Sequence, residues 1–96
     1  MKMVTVSIRD VKSEVYAQPW YQVTAAAAVR AFSDLVNDPE RGGQIFKHPE
    51  DFQLYELATF DDSTGQFDVH KIPKHLVSAS SIKKENPVLQ PNITAY

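Results

Sequence analysis

The chain has 96 residues, a formal net charge of −2 and no cysteine. A chain of this length forms one domain around a single small core. The lack of cysteine excludes a disulfide framework, a thiolate metal site and a cysteine nucleophile, and the slight negative charge excludes a uniformly basic nucleic-acid-binding protein. No apolar stretch approaches the roughly 20 residues that a membrane-spanning helix needs, and the first residues lack the apolar run of a signal peptide. We therefore expect a cytoplasmic protein without membrane contact.

The N-terminal segment alternates between apolar and polar residues. Between Met3 and Arg9, every second residue is a branched apolar one: Val4, Val6 and Ile8. This is the period of a strand with one buried face, because successive side chains of a strand point to opposite sides. The segment therefore predicts a half-buried β-strand.

Residues 10–23 have no sustained period and contain Pro19, which together predict a loop. Three aromatic residues lie in this segment: Tyr16, Trp20 and Tyr21. They fit a lid over one end of the core. The alternative is a surface on which nucleic-acid bases stack, since cationic side chains at Arg9 and Lys12 lie nearby in the chain.

The strongest helical pattern in the chain covers residues 24–37. Apolar residues recur there at three- and four-residue spacing, ending with Phe32, Leu35 and Val36. Thr24 can cap the start of the helix with its hydroxyl, and Pro39 prevents its continuation. We expect Phe32, Leu35 and Val36 to be buried in the core.

A hairpin is predicted for residues 53–72, because two strand-like segments flank the turn-forming residues 61–66. If Asp61 pairs with Gln66, the strands pair in a fixed register. The expected pairs are Phe60–Phe67, Thr59–Asp68, Ala58–Val69, Leu57–His70, Glu56–Lys71 and Tyr55–Ile72. A single helical turn is predicted before the hairpin, with Pro49 at its first position, and another near residues 73–76.

These elements predict an α+β domain over residues 1–84. A small antiparallel sheet, formed by the N-terminal strand and the 53–72 hairpin, packs on the 24–37 helix. Residues 85–96 contain two prolines and are expected to form an extended C-terminal tail. Because the core is small and the hairpin is apolar on both sides, we expect a homodimer.

The sequence lacks the patterns of catalytic and metal sites. No two of the three histidines, His48, His70 and His75, have the spacing of a metal-binding helix. The serines at 78–81 lack the glycines of a nucleophile elbow, and Gly42-Gly43 lacks the lysine of a phosphate-binding loop. We therefore expect no enzyme, no cofactor and no metal.

A basic stretch follows the acidic middle of the chain. Residues 69–84 contain four lysines, two histidines and no acidic residue. Such a strip is either a solvated surface or a track for phosphates. In the second interpretation, phosphates contact basic side chains while aromatic side chains stack on bases. The candidate nucleic-acid-binding residues are Arg9, Lys12, Trp20, Tyr21, Lys71, Lys74, Lys83 and Lys84.

Three segments resemble a known family. SIRDVKSE (7–14), VRAFSDLVND (29–38) and HPEDFQLYELATFDDSTGQ (48–66) resemble, in the same order, the small nonstructural protein of gokushovirus-type microviruses. These are icosahedral phages of the Microviridae with circular single-stranded DNA. The resemblance covers about residues 3–76. It implies a noncatalytic protein of the infected bacterial cytoplasm that acts during synthesis or packaging of single-stranded genomes.

Two functions are compatible with the sequence and the resemblance. The first is binding of single-stranded DNA during viral replication or packaging. The second is a protein–protein adaptor that docks a viral or host replication protein without contacting DNA, through the acidic middle or the tail. A transient assembly factor for capsid precursors is a third, weaker alternative.

Overall fold

The structure is a computed structural model, and it describes residues 1–84. The tail predicted for residues 85–96 lies outside the described residues. The strands are β1 (Lys2–Asp10), β2 (Val15–Tyr16), β3 (Trp20–Gln22), β4 (Phe52–Asp61) and β5 (Gln66–Ser78). The helices are α1 (Ala25–Val36), α2 (Gln44–Lys47) and α3 (Ala79–Ile82), with a 3₁₀ turn at Pro49–Asp51.

The strands form one antiparallel sheet in the order β2-β1-β4-β5. Strand β3 pairs with the same edge of β1 as β2 does, but further along that edge. The predicted α+β architecture, with the N-terminal strand and the hairpin in one sheet on a main helix, is confirmed. The 3₁₀ turn that begins at Pro49 is also confirmed.

Helix α1 forms as its sequence predicts. The Thr24 hydroxyl accepts a hydrogen bond of 3.1 Å from the backbone amide of Ala27, which is the expected N-cap. Phe32 and Val36 are fully buried, as predicted, whereas Leu35 is only partly buried against the same core. The buried core consists of Val6, Ile8, Ala28, Phe32, Val36, Leu54 and Ala79.

The hairpin register is correct at the turn and wrong beyond it. The pairs Asp61–Gln66, Phe60–Phe67, Thr59–Asp68 and Ala58–Val69 form as predicted. After Ala58 the register shifts, so that the predicted pairs Leu57–His70, Glu56–Lys71 and Tyr55–Ile72 do not form. Instead, Glu56 pairs with Lys74 and Tyr55 with His75.

Residues 70–73 bulge out of β5 opposite the single residue Leu57. Pro73 lacks the amide that a regular ladder requires, so a bulge accommodates it at little cost. The buried carboxylate of Glu56 is satisfied by His70, whose Nε2 lies 2.6 Å from Oε2. The strand then continues to Ser78, and the helical turn predicted at 73–76 is wrong.

The prediction of a loop over residues 10–23 is wrong for the second half of this segment, where β2 and β3 form an irregular edge strand. Both pair with β1, and between them the amide of Ala17 donates to the carbonyl of Ile8. Pro19 lies in the break between the two strands. An edge position tolerates a proline, since one side of an edge strand needs no ladder hydrogen bonds.

The sheet has an inner face that packs on the helices and an outer face that does not. Val6, Ile8 and Leu54 lie on the inner face in the core, and α1, α2 and α3 all contribute residues to that core or pack against it. Alternation and register place the following residues on the outer face: Met3, Thr5, Ser7, Arg9, Tyr16, Tyr21, Gln53, Tyr55, Ala58, Phe60, Phe67, Val69, His75 and Ser78.

Candidate nucleic-acid interface

Three rings form a cluster on the outer face beside the hairpin turn, which we call the distal cluster. Tyr21 lies 6.0 Å from Phe60 and 6.5 Å from Phe67, and the two phenylalanine rings are 4.9 Å apart between centroids. Tyr21 is 49% exposed and Phe67 is 51% exposed. The solvated face of an antiparallel sheet is normally polar. Half-exposed aromatic rings on this face therefore indicate a contact surface.

A second group, the proximal cluster, lies at the other end of the outer face. The Arg9 guanidinium lies 5.4 Å from the ring centroid of Tyr16, within the range of a cation–π interaction. Tyr16 meets Tyr55 edge to face at 5.6 Å, and Tyr55 meets His75 at 5.4 Å. The cluster thus joins a cation to three flat rings.

Small residues lie between the two clusters. Thr5, Ser7 and Ala58 are all buried on the outer face. The Ser7 hydroxyl donates to the Ala17 carbonyl, but the Thr5 hydroxyl has no hydrogen-bond partner among residues 1–84. The aromatic residues of the neighbouring strands rise above this floor, which gives the face a ridged surface.

None of the outer-face residues carries a carboxylate. The four acidic side chains of the strands lie elsewhere, because the register places them all on the inner face: Asp10 pairs with Phe52, Glu56 with Val6, Asp61 with Lys2, and Asp68 with Thr59. Arg9 is the cation of the outer face. The face is thus aromatic, free of negative charge and positive at one end.

Two of the residues predicted from the sequence, Arg9 and Tyr21, share the outer face. Trp20 does not: it pairs with Val6 on the inner face and packs against the core. Because neighbouring residues of a strand point to opposite sides, Trp20 and Tyr21 cannot stack on the same ligand.

The structure gives Lys83 a role in the fold. Its Nζ donates to the carbonyl oxygens of Phe46 at 2.9 Å and Val36 at 3.3 Å, and it lies 3.2 Å from the Phe46 ring centroid. Val36 ends α1, which has no basic residue in its own last turn. A cation at this position satisfies free carbonyls and interacts favourably with the helix dipole.

Replacing Lys83 with methionine should therefore lower the free energy of unfolding by about 1–3 kcal/mol, because charged hydrogen bonds and a cation–π contact are lost. Urea denaturation followed by circular dichroism measures this cost. Lys84→Met is the matched control, since the contact of Lys84 with Asn37 is made by its backbone amide. Equal stability of the two variants would contradict the capping role of Lys83.

The remaining predicted lysines do not form one strip. Lys74 pairs with Glu56 on the inner face, and Lys71 lies exposed in the bulge of β5. Lys12 lies in the exposed turn between β1 and β2, where its amide donates to the Asp10 carboxylate. Lys84 follows α3, on the helical side of the sheet.

The sequence interpretation considered Tyr16 for stacking beside Arg9 and counted His75 in the basic stretch, but it included neither among the candidate binding residues. It did not assign the hairpin residues Tyr55, Phe60 and Phe67 to binding at all. The pairing of Phe60 with Phe67 was predicted, and it contained the signal for the distal cluster. The contact between Tyr55 and His75 depends on the bulge at residues 70–73, for which the sequence offers only Pro73 as a sign.

His48, Glu50 and Asp51 bring three potential metal ligands within 4.8 Å of one another. All three lie on or beside the short 3₁₀ turn, and His48 and Glu50 are exposed. Clusters of this kind are common on protein surfaces and carry no assignment by themselves. The 3₁₀ turn packs on α2 and α3.

Comparison with known protein families identifies the chain. The family model described as "Phage ORF5 protein" matches residues 3–82. The chain belongs to the phage ORF5 protein family. The match includes every outer-face residue, so both clusters lie within the part of the chain that the ORF5 family shares.

Two further comparisons, with curated proteins and with solved structures, found no similar protein. In residues 1–84, none of the helices has the length and apolar character needed to cross a membrane. The function of the ORF5 protein must therefore be argued from its own surface.

Proposed function

We propose that this phage ORF5 protein is a noncatalytic protein that binds single-stranded DNA on the outer face of its sheet. The observation that supports the proposal is the outer face itself. Two aromatic clusters flank a floor of small residues, and no carboxylate lies among them. Proteins that bind single strands without strong sequence preference combine stacking rings with cationic side chains in this way.

An unpaired strand fits this face better than a duplex. Stacking on Tyr21 or Phe67 requires the flat side of a base, which a duplex hides between neighbouring base pairs. A sheet exposes its rings along a gently twisted surface, so that successive bases of a flexible strand can each reach one. The DNA strand would then run between the distal and proximal clusters, along the direction of β1.

The electrostatic contribution is modest compared with the lysine-rich strip that the sequence predicts. Arg9 lies on the outer face itself, while Lys12 and Lys71 lie exposed at turns and bulges near its margins. In a plot of the logarithm of affinity against the logarithm of salt concentration, each phosphate that such a cation neutralises adds about −0.7 to the slope. We therefore expect a shallow salt dependence and a large share of the affinity from stacking.

Fluorescence anisotropy with labelled DNA tests the proposal. The probe is a single strand of about 12 nucleotides, within the range that small single-strand-binding domains cover, and the control is the same strand annealed to its complement. At about 50 mM salt the single strand should bind more tightly than the duplex, and affinity should fall at about 200 mM. Absence of binding to the single strand at low salt would contradict the proposal.

The biological setting that we propose follows the resemblance to the gokushovirus nonstructural protein. Single-stranded DNA is exposed in the cytoplasm of the infected bacterium while viral genomes are synthesised and packaged. A protein with this face would cover the strand at that stage.

We also propose that the protein acts as a homodimer. Light scattering at micromolar concentration tests this proposal, and a monomeric mass would refute it.

A second candidate function is a protein adaptor for a viral or host replication protein. It is favoured by the apolar side chains that lie exposed near the distal cluster, Val23 and Val69. An adaptor would retain a protein partner from infected cells after nuclease treatment. A single-strand-binding protein would lose such partners along with the DNA.

A further inference from the structure

A hydroxyl without a partner lies on the outer face beside the distal cluster. Thr5 is only 7% exposed, and its Oγ1 makes no hydrogen bond within residues 1–84. Native proteins pair nearly all buried polar groups, because an unpaired hydroxyl loses its hydrogen bonds to water without replacement. An unpaired group in a candidate binding surface is therefore a candidate contact for a ligand.

The position of Thr5 relates this hydroxyl to the rings above it. Thr5 pairs with Tyr21 of β3 on one side and with Ala58 of β4 on the other. The ring of Tyr21 comes within 6.0 Å of Phe60, which belongs to β4, so the two rings approach each other across β1. Tyr21 is half exposed, and a base reaches Thr5 only if this ring rotates outward.

The surroundings of Thr5 select the chemistry of the ligand. Arg9 lies four residues further along β1, about 13 Å away at the rise of an extended strand. A phosphate would find no positive charge at Thr5. A nucleobase suits the position, because its flat side can stack on Tyr21 and its polar edge can pair with a hydroxyl that both donates and accepts.

We infer that Thr5 and Tyr21 form a base-binding subsite, in which an unpaired nucleobase stacks on the Tyr21 ring and hydrogen-bonds to the Thr5 hydroxyl. The inference rests on the proposed function and assigns one position within it. The proximal cluster then contacts the phosphate backbone through Arg9. The two ends of the outer face thus contact different parts of the strand.

The substitution Thr5→Val tests the subsite, because valine keeps the shape of threonine and removes the hydroxyl. Affinity for an oligothymidylate probe should fall roughly 3- to 10-fold, which corresponds to the loss of one neutral hydrogen bond. The melting temperature should stay the same or rise, since an unpaired buried hydroxyl is removed. Thr5→Ser, which keeps the hydroxyl, should bind like the wild-type protein.

Two controls separate base contact from other effects. Thr59→Val removes a hydroxyl from the inner face of β4 and should leave affinity unchanged. A strand of the same length in which all bases are absent should bind wild-type protein and Thr5→Val equally. An equal loss on the abasic strand would assign Thr5 to the phosphate backbone or to the fold, and would overturn the subsite.

The failure of the subsite is distinguishable from that of the proposed function. If the wild-type protein binds the oligothymidylate and Thr5→Val binds it equally well, only the base-binding subsite is refuted. If the wild-type protein binds no single strand, the proposed function is refuted and the subsite with it.

Discussion

Replacing Phe32 with alanine should unfold most of the protein at temperatures where the wild type is folded. Phe32 is 1% exposed at the centre of the core and is the largest of its fully buried side chains. Truncation of a buried phenylalanine costs about 3–5 kcal/mol, from lost transfer energy and from the cavity left behind. A domain of this size has little stability beyond that amount.

Urea denaturation followed by tryptophan fluorescence measures the effect, because the single tryptophan, Trp20, packs against the core. The matched control is Arg30→Ala, an exposed position on the same helix where alanine also favours the helix. The control should unfold at nearly the wild-type urea concentration. A Phe32→Ala variant as stable as this control would show that the helix does not pack on the sheet as described.

Removing two rings of the distal cluster should cost more affinity than any other change on the outer face. Base stacking on an aromatic side chain is worth about 1–3 kcal/mol per base by alanine substitution. The combined variant Tyr21→Ala and Phe67→Ala should therefore bind a single strand about 30-fold more weakly or worse, even if the two losses are not fully additive. Anisotropy titration measures the change.

The fold should survive this double substitution, because both side chains are about half exposed. A cross-strand aromatic pair such as Phe60–Phe67 contributes only about 0.2–1 kcal/mol. The matched control is Ile72→Ala, which removes a side chain that is 78% exposed on β5 but belongs to neither cluster. If the control loses as much affinity as the double variant, stacking on the distal cluster is not the source of binding.

The elements with local signals were predictable from the sequence. The Thr24 cap and the spacing of Phe32 and Val36 define α1, and the alternation of β1 defines its buried face. The turn at residues 61–66 also fixed the register next to it, because turn geometry acts over only a few residues.

The errors arose where distant contacts override local preference. The edge strand at residues 15–22 has no alternating pattern, and it forms because β1 offers an unpaired edge. The bulge at residues 70–73 accompanies the contact of His70 with the buried carboxylate of Glu56, which lies 14 residues away in the chain. No local pattern in the sequence encodes such a pair.

The candidate site was only partly predictable for the same reason. Arg9 and Tyr21 were identified by residue type, and the structure places both on one face. Lys83 was assigned to phosphate binding because composition does not distinguish a free lysine from one that contacts Val36 and Phe46. The aromatic residues of the hairpin become a surface only when the sheet brings them beside β1.

The most direct test of the account is photocrosslinking of the wild-type protein to a single strand that carries 5-iodouracil, followed by mass spectrometry of the crosslinked peptides. Crosslinks form chiefly to aromatic side chains that stack on the modified base. The account predicts crosslinks to the outer-face rings, foremost Tyr21 and Phe67. Crosslinks confined to inner-face or helical aromatic residues such as Trp20 and Phe46, or none at all, would contradict it.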